Sequence, residues 1–274
     1  MSGTSAPGFR TLVEVSPGKL VWTSEAFVTI TTVVLAGPGS PDCLIIDPAV
    51  HVDDLAAFAA ALAGRGLRPT IGWSTHPHWD HVLWATSLGP QVPRFGTSGN
   101  VTVCEQRRDQ LLESVQDSSP GHELDLVARL QPIARAAADL PWSGPRTIVI
   151  EHLAHARGHG SLHLVDLGVL IAGDMCSDIE IPLLDLDQSD PVGDYRRALD
   201  AYSKLEDLAL VIPGHGAPGD LAAFRERVAA DRRYLDDLEL GRPVADGRLS
   251  GWLVNEHERH VERLRTGSVE KVPR

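Results

Sequence analysis

Six consecutive residues, His76-Pro77-His78-Trp79-Asp80-His81, carry three imidazoles and one carboxylate. These are the side chains that borderline divalent metals such as zinc prefer. They are too dense to share one helix face, and Pro77 biases His76 away from helical backbone, so the segment reads as an irregular loop on which donors converge. A lone histidine is usually a surface or core residue, but three with an interposed aspartate point to a metal. One loop cannot complete two metal sites. Further donors are expected at His159 in Gly158-His159-Gly160, Asp174 in Gly173-Asp174 and His215 in Gly214-His215-Gly216. Flanking glycine lets backbone and ion approach closely.

Each of these positions lies at or beside the end of an expected strand. Cys43–Ile46 reads as a strand running into Asp47-Pro48, and Asp53 or Asp54 then caps a helix whose Leu55, Phe58, Ala59 and Leu62 share a face up to Gly64. Pro69–Ser74 is the next strand, with His76 at its exit. Strands follow at 147–153, 161–165 and 169–172, the last two forming a hairpin about Asp166–Gly168. A helix at 194–205 presents Tyr195, Ala198, Leu199 and Tyr202 on one face, and the strand 208–212 exits into Pro213–Gly216. Helices from Pro218 and near 251–264 close the pattern. Residues 104–116 and 122–138, parted by Asp117–Gly121, read as a helical pair that could form a lid.

In this order the motifs resemble those of the metallo-β-lactamase-fold hydrolases, whose His-x-His-x-Asp-His loop is matched by His76, His78, Asp80 and His81. Asp47, His159, Asp174 and Pro213–Gly216 extend the resemblance over most of the chain. It implies an α/β (α+β) fold, an αββα sandwich of two mixed sheets with helices outside. One domain would span residues 1–274, with a helical insertion at about 101–140. It also implies a binuclear site: His76, His78 and His159 on one metal, Asp80, His81 and His215 on the other, and Asp174 between them. Aspartate at 80 and at 174 is closer to the glyoxalase II and lactonase branches than to the β-lactamases proper. Many members read Gly-His-Thr-x-Gly-Ser at the third motif, whereas Gly158-His159 is followed directly by Gly160-Ser161. His155 and His163 therefore compete with His159, although neither has flanking glycine and His163 falls within an alternating strand. The other histidines, His51, His122, His152, His257 and His260, are expected at the surface or behind the ligands. Asp47 is a candidate to accept the second N–H of a ligating imidazole, or simply to cap its loop.

The chemistry implied is hydrolysis by a metal-bridging hydroxide, since paired divalent ions lower the pKa of water from about 15.7 toward about 7. Asp80 and Asp174 are the catalytic candidates, with Asp80 relaying a proton. Zinc is the expected metal, with iron or manganese as alternatives. No G-x-S-x-G elbow suggests a serine nucleophile. The expected substrate is a small-molecule ester, lactone or thioester, although no basic cluster suited to a glutathione carboxylate is evident. Alternatives are a mononuclear iron dioxygenase of the same fold, β-lactam or phosphodiester hydrolysis, and a metal-stabilised binding protein without catalysis. Trp79, Trp84, Met175 and Ile181 are candidates for an apolar wall.

The 274 residues carry 37 acidic against 25 basic side chains, a net charge of −12, which argues against a nucleic-acid partner. Apolar runs fall far short of the roughly 20 residues of a membrane helix, and the start of the chain lacks a secretory signal. A cytoplasmic protein, compatible with a homodimer, is expected. Cys43, Cys104 and Cys176 have no C-x-x-C spacing and read as reduced, buried packing residues.

Overall fold

Strands buried on both faces are apolar at consecutive positions, and Cys43-Leu44-Ile45-Ile46 is such a run. Leu44 and Ile46 join the cluster that also holds Leu162, Leu164, Ile171 and Ile212, whereas Cys43 and Ile45 pack with Leu55, Phe58 and Leu62. This alternation, two residues per repeat, places a second sheet on one side of the strand and a helix on the other.

The computed structural model describes residues 8–133 and 139–267. The first sheet takes β1 (Leu12–Ser16), β2 (Lys19–Thr23), β3 (Ile30–Leu35), β4 (Asp42–Ile46), β5 (Arg68–Trp73), β6 (Arg94–Gly96) and β7 (Gln131–Pro132) in chain order. It is antiparallel up to β4 and parallel from β4 to β7. The second sheet takes β8 (Thr147–His152), β9 (His159–Leu164), β10 (Val169–Gly173), β11 (Leu210–Pro213) and β12 (Gly219–Asp220), also in chain order, with β10 and β11 parallel. The hairpin about residues 166–168 is antiparallel, as the sequence predicts. Helix α1 (Val52–Gly64) connects β4 to β5 and covers the outer face of the first sheet. The helical segments α2 (Ser98–Gln106) and α3 (Arg108–Ser118) follow β6, and α4 (Pro191–Ser203) connects β10 to β11. With α5 (Leu221–Glu239), α4 covers Leu170, Ala172 and Val211 on the outer face of the second sheet, and α6 (Leu253–Thr266) adds Leu253 to that core. The layers are helix, sheet, sheet, helix, a four-layer αββα sandwich.

The sheets are joined by backbone hydrogen bonds at one edge: Ile30 N–H donates to Gly214 O at 2.7 Å, and Gly216 N–H to Val28 O at 3.0 Å. The carboxyl ends of β4, β5, β10 and β11 carry Asp47, Thr75-His76, Asp174 and His215 respectively.

The expected helix over 122–138 is not formed at 122–133, and its last residues, 134–138, lie outside the described residues. Side chains take the carbonyls that a helix would need: Arg108 donates to Leu124 O at 2.8 Å and to Val127 O, and Arg94 to Leu126 O at 2.6 Å. Helix α3 and this stretch pack through Leu111, Val115 and Val127 on Val82 and Leu83, which directly follow the hexapeptide. They support the donor loop from behind.

The three cysteines are free and buried, and burial pushes the thiols of Cys43 and Cys104 up to about 12. Among the described residues no helix is long and apolar enough to cross a membrane.

Candidate metal centre

Donor atoms converge in two groups at the edge where the sheets meet. The first comprises His76, His78, His155 and Asp174, the second Asp80, His81 and His215, with the donor atoms of each within 4.8 Å of one another. In the first, His76 Nε2 lies 2.9 Å and His155 Nε2 lies 3.0 Å from His78 Nδ1, and both are 3.4 Å from Asp174 Oδ2. In the second, His81 Nε2 lies 3.2 Å from His215 Nε2, with Asp80 Oδ2 at 3.6 and 3.7 Å from the two. A tetrahedral ion with Zn–N bonds of about 2.0–2.1 Å would separate its donors by roughly 3.3 Å, a span these spacings suit. Asp174 serves both groups, because its oxygens also lie 3.3 Å from His81 Nε2 and from His215 Nε2.

The ring nitrogens facing away from the centre fix the tautomers. His81 Nδ1–H donates to Asp47 Oδ2 at 3.0 Å, His155 Nδ1–H to Leu183 O at 3.0 Å, and His215 Nδ1–H to Phe27 O at 3.0 Å. His76 Nδ1–H donates to Thr75 Oγ1 at 2.9 Å, and that hydroxyl donates in turn to Asp47 Oδ2 at 2.6 Å. Each of these four rings therefore turns its Nε2 toward the centre, the arrangement that outer hydrogen bonds impose on metal-binding imidazoles. Asp47 both holds His81 and caps its loop, accepting Thr75 N–H at 2.9 Å. Its left-handed backbone, φ +48°, is one that aspartate tolerates better than most residues.

The electrostatics favour a cation. Burial works against protonation of His81, yet Asp174, Asp80 and Asp47 hold its pKa well above the usual histidine value. His215 likewise overcomes burial and is held at about 10 by Asp174 and Glu180. Asp174 is kept well below the usual carboxylate value, against burial, by His215, His81 and His76. Its Oδ1 is nevertheless buried and accepts no hydrogen bond. Protons on imidazoles occupy the electrostatic role that a divalent ion would fill, and the His/Asp donor set fits such an ion. Close approach is built into the glycines: a Cβ on Gly214 would collide with Asp174 Oδ1, and one on Gly173 would sit 2.5 Å from His159 Nε2.

Six of the seven residues expected as ligands meet here: His76, His78, Asp80, His81, Asp174 and His215. The structure does not bring His159 into either group and places His155 there instead. His159 is the first residue of β9, paired with His152, so the sheet dictates its direction. Its ring stacks on His76 at 5.1 Å and on His152, with neither nitrogen hydrogen-bonded. His155 lies in the β8–β9 loop, where no strand pairing dictates its direction, and turns inward. His163 stays on β9 with an unpartnered Nε2. His122 binds Val50 O, and His257 and His260 meet at Tyr234 Oη. Of the expected apolar wall, Trp84, Met175 and Ile181 belong to the core. Trp79 stands at the site, edge-on to Phe27 at 6.3 Å, and Phe27 is 6.5 Å from the His215 ring and 52% exposed. Phe27 and Glu180 are the site residues that carried no signal in the sequence. Glu180 is pushed up to about 7, chiefly by burial, with Asp174 and Asp80 adding to it against His215.

A four-layer sandwich with a His/Asp cluster where its sheets meet is the architecture of the metallo-β-lactamase fold, and this chain has it. Residues 99–215 match the model of the metallo-β-lactamase superfamily. Similar solved structures include a β-lactamase domain protein from Burkholderia ambifaria, with 20% identity and a TM-score of 0.65 over 87% of this chain and 78% of that one. A metallo-β-lactamase family protein from Thermus thermophilus has 20% identity and a TM-score of 0.64, covering 83% of this chain and 82% of its own. A metallo-β-lactamase from Pontibacter korlensis has 13% identity and a TM-score of 0.57, with 80% and 96% covered. No curated protein matches the sequence.

Proposed function

We propose that this chain is a metal-dependent hydrolase that holds two divalent ions, zinc foremost, and cleaves a small-molecule ester, lactone or thioester. The observation that carries the reading is the sharing of one carboxylate, Asp174, between two groups of outward-locked imidazoles. His76, His78 and His155 would hold one ion, Asp80, His81 and His215 the other, with Asp174 between. When bound, such ions activate water near neutral pH and polarise a carbonyl. Asp80, whose side chain is the more exposed carboxylate at 13% against 5% for Asp174, would accept the proton of the attacking water and return it to the leaving group. Phe27 and Trp79 would bear the apolar part of the substrate beside His215, which favours an acyl or lactone ring over a phosphodiester.

Metal quantification on the purified chain, followed by a panel of lactones, thioesters, β-lactams and phosphodiesters, tests the reading. Two zinc per chain with lactone, ester or thioester turnover is expected; one iron, or turnover that survives chelation, overturns it. His155→Ala should lose one equivalent of metal and His159→Phe should keep both. The reverse result would restore His159 as the ligand.

A further inference from the structure

From Asp174 to Asp190 the chain runs between β10 and α4 without a strand or helix, yet this stretch controls three donors. It carries Asp174 itself. Ser177 Oγ donates to the His215 carbonyl at 2.9 Å, and the Leu183 carbonyl receives His155 Nδ1–H at 3.0 Å. A segment with no ladder of its own must find partners for its backbone groups elsewhere. Several come from residues 221–267, past the superfamily match that ends at 215. Arg227 on α5 donates to Cys176 O at 3.3 Å, and Arg248, in the α5–α6 connection, to Ser177 O at 3.2 Å. From α6, Arg263 donates to Leu186 O at 3.1 Å and to Gln188 O at 3.0 Å, while His260 Nε2 accepts Leu184 N–H at 3.3 Å. Arg248 is itself clamped, 2.7 Å from Asp231 and 2.8 Å from Asp246, so its remaining donor is aimed by two carboxylates rather than left free.

We propose that residues 221–267 form a positioning frame for the metal centre, in which Arg248 sets Asp174 and His215 through Ser177, and Arg263 sets His155 through the backbone at 183–188. The proposal rests on the donor assignment above. It makes the C-terminal segment part of the site without any of its side chains touching substrate or metal.

Cobalt(II) titration of the full-length protein, followed by visible absorption, separates the two arms. Arg263→Met strands no carboxylate and should weaken one equivalent by about 10-fold, the size of effect that outer hydrogen bonds have on metal sites, and shift its absorption bands. Arg248→Met alone would leave Asp231 without its cation, so Asp231→Asn/Arg248→Met is the variant to read. It should weaken the other equivalent by a similar factor. Arg265→Met, exposed on α6 and paired with Glu262, should match the wild type. If Arg263→Met folds, by circular dichroism, and binds both equivalents with wild-type affinity and spectrum, the frame is overturned while the donor assignment stands. A wild-type chain that takes up no cobalt overturns the donor assignment and the frame with it. Arg263→Met keeps the test decisive should the double variant fail to fold.

Discussion

Two clusters of buried charge are satisfied in different ways. Around Arg248 the protein supplies its own cation: the guanidinium contacts Asp231 and Asp246 at 2.7 and 2.8 Å. Around Asp174 the partners are imidazoles, those of His76, His81, His155 and His215, and the positive charge held on His81 and His215 is a removable proton. A buried carboxylate facing a fixed cation is a structural element. One facing titratable nitrogens, each locked with its Nε2 inward, suits a cation from outside.

Removing the centre's anion should have the largest functional effect. Asp174→Ala is expected to abolish hydrolysis and to lower metal content, read by turnover and elemental analysis, while the fold persists because the imidazoles can shed their protons. Full turnover in that variant would erase the distinction between the clusters. The reverse holds at the other cluster: Arg248→Met strands Asp231, whose carboxyl burial already pushes up to about 7 against the pull of Arg248. Loss of one partner of a buried pair destabilises by about 3–5 kcal/mol, and denaturant unfolding should show it in the metal-free protein. Chelation comes next, with ions at 100 times their dissociation constant contributing about 2.7 kcal/mol. At about 2–4 °C per kcal/mol for a chain near this size, the melting temperature should fall by roughly 5–10 °C. Asp47→Asn, which withdraws the acceptor from His81 and Thr75, should weaken metal binding by about 10–100-fold.

The smallest effect is on pH. His81 and His215 are held protonated above the ordinary histidine range, so an ion must displace those protons, and its affinity should fall as pH falls. Calorimetry in buffers of different ionisation enthalpy should detect proton release at pH 7 to 8. Because the folded pKa of His215 is raised from 6.5 to about 10, its contribution to metal-free stability is complete below pH 6.5 and is lost as pH rises toward 10. Metal-free protein that grows more stable over that interval would contradict the charge distribution described here.

The hexapeptide was legible because its chemistry lies within six consecutive residues, and Asp174 and His215 because each ends a strand that periodicity reveals. His155 was harder. Flanking glycine pointed to His159, but the pattern of the superfamily also sets glycine three residues after the histidine, and His155-Ala156-Arg157-Gly158 keeps that spacing while Ala154 replaces the preceding glycine. In the structure β9 begins at His159, a boundary set by pairing with β8 and invisible to spacing alone, and His155 rather than His159 falls among the clustered donors. The 122–133 stretch misled for a related reason: its apolar spacing suits a helix, but arginines from α3 and from β6 claim its carbonyls. Phe27 could not be anticipated either, since its place beside His215 comes from a clamp between the β2–β3 turn and the β11 exit, where Gly216 N–H donates to Val28 O at 3.0 Å.

The donors do not share one sheet. The hexapeptide leaves β5 of the first sheet, whereas His155, Asp174 and His215 leave β8, β10 and β11 of the second. An ion held by His76 and His155, as proposed, would work as a rivet through both leaves of the sandwich. Sliding one leaf past the other would then have to shear coordination bonds, so the atoms proposed to carry the chemistry would also resist mechanical separation of the two halves of the chain.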